Sequence, residues 1–169
     1  MDSPSEFLVY FEKIRGRTER VALLIPEDRI DWAPAPGKFT LGDTVRHIAA
    51  IERWMFAENA MRRPSRYAGC GRELADGKDA VIAYLRDRHR ESVEIFSRLS
   101  PADFEAQCET PAGAPIRIGK WLRSMIEHEV HHRGQIYLML GMLGVATPPL
   151  YGLTSEEVRA RSLSDDLLA

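Results

Sequence analysis

The stretch Trp121-Leu-Arg-Ser-Met-Ile-Glu-His-Glu-Val-His-His-Arg-Gly-Gln-Ile136 decides the fold, because its apolar residues recur with the period of a helix. Extended by one turn, it sets Trp121, Met125, His128, His132, Gln135, Met139 and Met142 on one stripe in steps of three and four, the inward period of a bundle helix. Both histidines are therefore expected to point at the core. An α-helix turns about 100° per residue, so positions four apart lie about 40° apart on one face, close enough for two imidazoles to reach one ion. A lone histidine on an apolar face is usually a core residue held by a hydrogen bond. Two at ligand spacing must both be desolvated, and a shared metal compensates both.

Working outward, three more long helical patterns appear between breakers. The first runs from about Pro4 to Leu24 with the stripe Phe7, Phe11, Ile14, Thr18 and Val21, and stops before Pro26. Trp32-Ala-Pro-Ala-Pro-Gly-Lys-Phe39 reads as an extended loop, since each proline disfavours α geometry in the residue before it. The second helix opens on Thr40-Leu-Gly-Asp43, a hydroxyl at the N-cap with an acid three residues on, and runs through Val45, His47, Ile48, Ile51 and Trp54 to about Ala60. The third spans about Asp76 to Leu99 and ends at Ser100-Pro101. The long helix quoted above follows Gly119 and closes at Leu143-Gly144, with glycine as the natural C-cap. A capping signal at Thr154 starts a short last helix. No β alternation of useful length, repeat or low-complexity tract interrupts this order. The expectation is an all-α fold, a four-helix bundle with a short extra C-terminal helix, forming one domain over residues 1–169. The connections after the first and third helices are too long for tight hairpins, so the order of packing stays open.

Composition narrows the function. At 169 residues, 44% hydrophobic and 28% charged, the chain is an ordinary globular domain. With 23 basic and 25 acidic residues its formal charge is −2, so no global field draws nucleic-acid phosphates. The cluster Arg86, Arg88 and Arg90 is broken by Asp87 and followed by Glu91, and reads as a solvated helix face. The opening Met1-Asp-Ser-Pro-Ser-Glu6 lacks the basic and apolar regions of a secretory signal, and no run approaches a membrane span. A cytoplasmic protein is expected. Cys70 and Cys108 lack metal-type CxxC partners, and a reducing compartment favours thiols over a disulfide between them.

His47 shares a side of the second helix with Ile51 and Trp54 and can face the interior. With His128 and His132 it forms a three-histidine set from two helices, leaving a coordination position open for water or substrate. His131 points about 60° away from His128 and belongs at the rim. His89, on the inward stripe of the third helix, reads as a hydrogen-bonded core histidine, with support behind the site or contact with substrate as the alternative. His128-Glu-Val-His-His132 also fits H-E-x-x-H, the zinc-protease helix in which Glu129 would be the general base. The longer form of that pattern would need glycine at Gln135 and histidine at Leu138, and neither is present.

On Val45-Arg-His47-Ile48, on His128-x-x-x-His132-Arg-Gly-Gln135 and on the closing Pro148-Pro-Leu-Tyr-Gly-Leu153, the chain resembles the DinB/YfiT-like family of metalloenzymes over nearly its whole length. The resemblance implies a four-helix bundle, often dimeric, with a three-histidine site for a divalent ion. The ligands carry over as His47, His128 and His132. Zinc or nickel is the expected ion, with manganese and iron also suited to three imidazoles. Some relatives transfer or isomerise substrates with low-molecular-weight thiols such as bacillithiol, mycothiol or glutathione, the metal activating the thiolate. The resemblance thus implies a thiol-dependent S-transferase acting on small electrophiles, working as a homodimer without nucleic acid or membrane. The alternatives are a metal-dependent hydrolase that uses bound water and Glu129, and a noncatalytic metal-binding stress-response dimer. His131 and His89 stand outside the family pattern.

Overall fold

The computed structural model describes residues 3–162; the leader reading at Met1 and Asp2, and residues 163–169 of the expected domain, lie outside them. Four long helical segments build an all-α bundle. α1 is Pro4–Ala22, and α2 is Leu41–Ile51, continued by a π-helical turn at Glu52–Phe56 and by α3 at Ala57–Ala60. α4 is Lys78–Phe96, α5 is the short Pro101–Glu105, α6 is Ile118–Met142 and α7 is Ser155–Ser162. Between α5 and α6 lies an element absent from the sequence reading, a two-stranded antiparallel hairpin of β1 (Gln107–Glu109) and β2 (Pro115–Arg117), with Cys108 opposite Ile116. Three residues per strand are too few for side-chain alternation to stand out.

Local chemistry explains the helix starts. The Thr40 hydroxyl accepts from the Asp43 amide at 2.9 Å while the Asp43 carboxylate accepts from the Thr40 amide at 3.0 Å, completing the expected capping box. α4 ends at Phe96, short of Ser100-Pro101, and that pair also opens α5, where Ser100 makes the same reciprocal pair with Asp103. Gly144, at φ 71°, takes the left-handed conformation that ends α6.

Packing then sets the order around the bundle. α2 packs on α4 and α1 on α6, and the ring closes through α2–α6 and α1–α4. One apolar cluster joins the starts of α1 and α6 (Phe7, Phe11, Leu122, Met125) to the ends of α2 and α4 (Ile51, Phe96). A second joins Val21 and Ile136 to Val45 and Val81, at the opposite ends of the same helices. So α1 runs parallel to α6, α2 runs parallel to α4, and the two pairs oppose each other. The connections that seemed too long now have reasons. Those after α1 and α4 cross to diagonal corners, and residues 61–77 must return along the whole of α2 before α4 can start beside it.

Between the two apolar clusters lies a polar layer drawn from every corner of the bundle: Arg15 and Thr18 of α1, Glu52 of the π turn, Ser92 of α4, and Glu129 and Arg133 of α6, all buried. This corrects the expected stripe of α6. Its buried side is Ile118, Gly119, Leu122, Met125, Ile126, Glu129, Arg133, Ile136, Met139 and Leu140, so Met125 and Met139 of the expected stripe are buried, whereas Gln135 and Met142 are exposed and His128 and His132 are half-buried. The histidines face a groove at the edge of the core. Buried Glu129 and Arg133 disguise the true core face, because charged residues normally mark the outer one. The basic cluster on α4 is tied down by ion pairs, Arg86 to Glu19, Arg88 to Glu91 and Arg90 to Asp87. No helix among the described residues is long and apolar enough to cross a membrane.

Candidate metal centre

His47 projects from the second turn of α2, and His128 and His132 from successive turns of α6, into the groove where these helices meet. One ring nitrogen from each can be chosen so that all three lie within 4.8 Å of one another. His47 Nε2 and His128 Nε2 are 3.1 Å apart. Two ligands at about 2.0–2.1 Å from a tetrahedral ion lie about 3.3 Å apart, so the pair already has nearly the spacing of neighbouring ligands. The ring centroids of His132 lie 4.6 Å from His47 and 4.4 Å from His128.

The outward nitrogens are held. The Tyr67 hydroxyl lies 2.8 Å from His47 Nδ1, and Gln135 Oε1 lies 2.7 Å from His132 Nδ1. With each Nδ1–H donating outward, the Nε2 lone pairs are bare and aimed inward, the tautomer a metal ligand needs. Gln135 then turns its amide to His131 Nε2 at 3.1 Å, so exposed His131 braces the site without entering it. Phe39, 5.3 Å from the His47 ring, and Phe56, 6.1 Å from the His128 ring, supply apolar walls.

Electrostatics agrees with this donor set. Burial, with the nearby charge of His132, lowers the pKa of His47 from 6.5 to about 4. Burial, followed by His132, His47 and His131, takes His128 down to about 3, and burial also lowers His132. Three neutral imidazoles crowded together with converging lone pairs fit a divalent cation.

Glu129 is elsewhere. Although it neighbours His128, its carboxylate is buried and accepts from Arg15 Nη2 at 3.1 Å, in competition with Glu52, which pairs with the same nitrogen. Burial pushes the Glu129 carboxyl upward, with Arg15 opposing; burial also opposes the Glu52 charge, but Arg15 and His89 outweigh it and hold that pKa down. The glutamate of the H-E-x-x-H pattern therefore faces the core layer and is not presented to the three histidines. His89 proves to be a core-edge histidine, 3.3 Å from Glu52 Oε1 and packed edge-on to Phe11. Cys70 and Cys108 are both free thiols, and burial raises both above the ordinary thiol range.

Tyr67 is the residue of the candidate site that sequence reasoning missed. It lies in the returning segment, which hydrogen-bonds along α2 in reverse order: Arg66 to Trp54 by the backbone, Tyr67 to His47, then Cys70 and Ala75 through their carbonyls to Arg46. A lone tyrosine within an Arg-, Pro- and Gly-rich loop was the one available signal.

Fold and site together define a helical bundle with a three-histidine centre that could hold a metal ion. The model of the DinB superfamily matches residues 10–136, and the chain belongs to that superfamily. Among solved structures, a DinB-like protein from Bacillus cereus ATCC 10987 is similar at a TM-score of 0.75 and 18% identity, covering 88% of this chain and 97% of that one. A second, the DinB-like protein YjoA of Bacillus subtilis, has a TM-score of 0.69 at 18% identity, covering 87% and 97%. At that identity the likeness speaks for the fold. No curated protein matches the chain.

Proposed function

We propose that the protein is a metal-dependent enzyme whose three-histidine centre binds zinc or nickel and transfers a low-molecular-weight thiol to a small electrophile. The observation that carries this reading is the convergence of three neutral imidazoles, two of them braced from behind, beside a cavity that His132 helps to line. Three neutral ligands leave a bound divalent ion its full charge, which lowers the pKa of a thiol beside it. The chain's own contribution is to keep the imidazoles deprotonated, to fix their orientation through Tyr67 and Gln135, and to line the approach with Phe39. In the transfer, the thiolate sulfur bonds to the electrophilic carbon, the leaving group departs with its electron pair, and the thiol proton passes to solvent.

The hydrolase alternative requires a general base near the ion, and the Glu129–Arg15 pair supports the transferase over it. Balanced charge supports a small-molecule substrate rather than nucleic acid, and the free thiols suit the cytoplasm. The same reading takes the protein as a homodimer, for which sedimentation should give about twice 19.2 kDa.

The test uses zinc- or nickel-loaded protein with glutathione and 1-chloro-2,4-dinitrobenzene, following chloride displacement and repeating with other small thiols. Metal-dependent acceleration lost in His128→Ala is expected. Rates equal to metal-free protein with every thiol would refute the transferase and favour the noncatalytic dimer.

A further inference from the structure

Beside His132 a cavity of about 610 Å³ opens between the last turns of α6 and the loop before α2, within the range of sites that enclose small organic ligands. Leu138, Met139 and Met142 form the α6 wall, and Pro34, Ala35 and Phe39 contribute to the wall opposite. Leu138 is 67% exposed, Met142 57% and Phe39 44%, so both walls leave large apolar surface uncovered. The loop wall is preformed. Its Lys38 amide donates to Ala35 at 3.2 Å, Gly37 takes φ 74°, and the Leu41 and Gly42 amides tie its far end to Trp32 and Ile30 at 3.0 and 2.7 Å.

The polar groups of this cavity are few, and most are engaged. The Thr44 hydroxyl donates to the Thr40 carbonyl at 2.8 Å, and Gln135 spans His131 and His132. That leaves the ligand nitrogen of His132 and the ammonium of Lys38, which has no carboxylate partner among the described residues. An apolar cavity with one free cation and one edge on a metal centre selects a particular ligand.

We infer, building on the metal-site reading above, that this cavity takes the substrate, a molecule with an aliphatic or aromatic body and a carboxylate or similar anion that pairs with Lys38, its reacting end reaching the histidines past His132. The apolar body accounts for the uncovered walls and the anion for the unpaired lysine. Lys38 is exposed, and an ion pair at such a position contributes up to about 1 kcal/mol, so removing it should cost a few-fold in affinity.

The test is calorimetric titration of the full chain, zinc-loaded and EDTA-stripped, with 4-phenylbutyrate, 4-phenylbutan-1-ol and 4-phenylbutylamine. The stripped arm removes any direct carboxylate–metal bond and any dependence on whether the protein binds metal, so failure of the metal reading and failure of this one are seen separately. In stripped protein the acid should bind a few-fold tighter than the alcohol, and the amine more weakly than both. Lys38→Met should abolish the advantage of the acid while leaving the alcohol unchanged, and Leu138→Asp, at an exposed position, should weaken acid and alcohol alike. Equal binding of acid and amine, indifference to Lys38→Met, or no binding of acid and alcohol would overturn the inference. Dissociation of a dimer by Leu138→Asp, with no probe binding to the parent chain, would assign the face to a second copy and overturn it too.

Discussion

At the scale of single residues, the centre rests on which nitrogen of each imidazole faces inward, and hydrogen bonds from outside decide that. Tyr67→Phe should leave the bundle folded yet weaken metal binding by about tenfold or more, the usual cost of losing such a support, as measured by competition with a chromophoric chelator. Unchanged affinity would mean that Tyr67 merely packs against His47. The depressed pKa values of His47, about 4, and His128, about 3, also set a pH dependence for the metal-free protein. Between pH 6.5 and about 4 the unfolded chain takes up protons that the folded chain refuses, so stability falls as pH falls through that window. Melting of EDTA-treated protein from pH 7 to pH 4 should show this drop, and His47→Gln with His128→Gln should reduce it. His128 and His132 were legible as a pair because four residues on a helix fix a spatial relation without further information. Tyr67 was not, since its reach depends on the path of residues 61–77, which no local pattern encodes.

At the scale of elements, the helices follow from apolar period and capping, while the orientation of α6 about its own axis does not. The polar layer explains why. Glu129 and Arg133 occupy core positions because Arg15, Glu52 and the Ile14 carbonyl meet them there, and those partners come from distant parts of the chain. A sequence pattern treats such residues as surface, which turned the expected stripe toward the histidines. The layer also makes a prediction. Glu52→Ala removes the closer partner of a buried guanidinium and should destabilise the protein by about 3–5 kcal/mol in chemical denaturation, far more than an exposed ion pair would. A loss below about 1 kcal/mol would show that the Arg15 charge is already satisfied by Glu129. The hairpin of β1 and β2 and the π turn at Glu52–Phe56 escaped the sequence reading for a related reason. The former is too short for periodicity, and the latter adds one residue per turn without changing composition.

At the scale of the whole molecule, parallel α2 and α4 oblige residues 61–77 to retrace α2, and that return brings Tyr67 to His47; α2 and α6 meet as neighbours, and that contact brings His47 to the pair on α6. The fold thus supplies the third histidine and its support, whereas the first two come from one helix. Membership of the DinB superfamily accounts for the bundle, and holding a metal ion is the purpose proposed for its three histidines. The measurement that bears most directly on that purpose is metal content by elemental mass spectrometry on untagged protein, comparing the parent chain with His47→Ala. About one divalent ion per parent chain is expected, with loss of that ion in His47→Ala and helicity retained. No ion in the parent chain after reloading with zinc or nickel, or an ion kept in the variant, would contradict a metal site at these histidines.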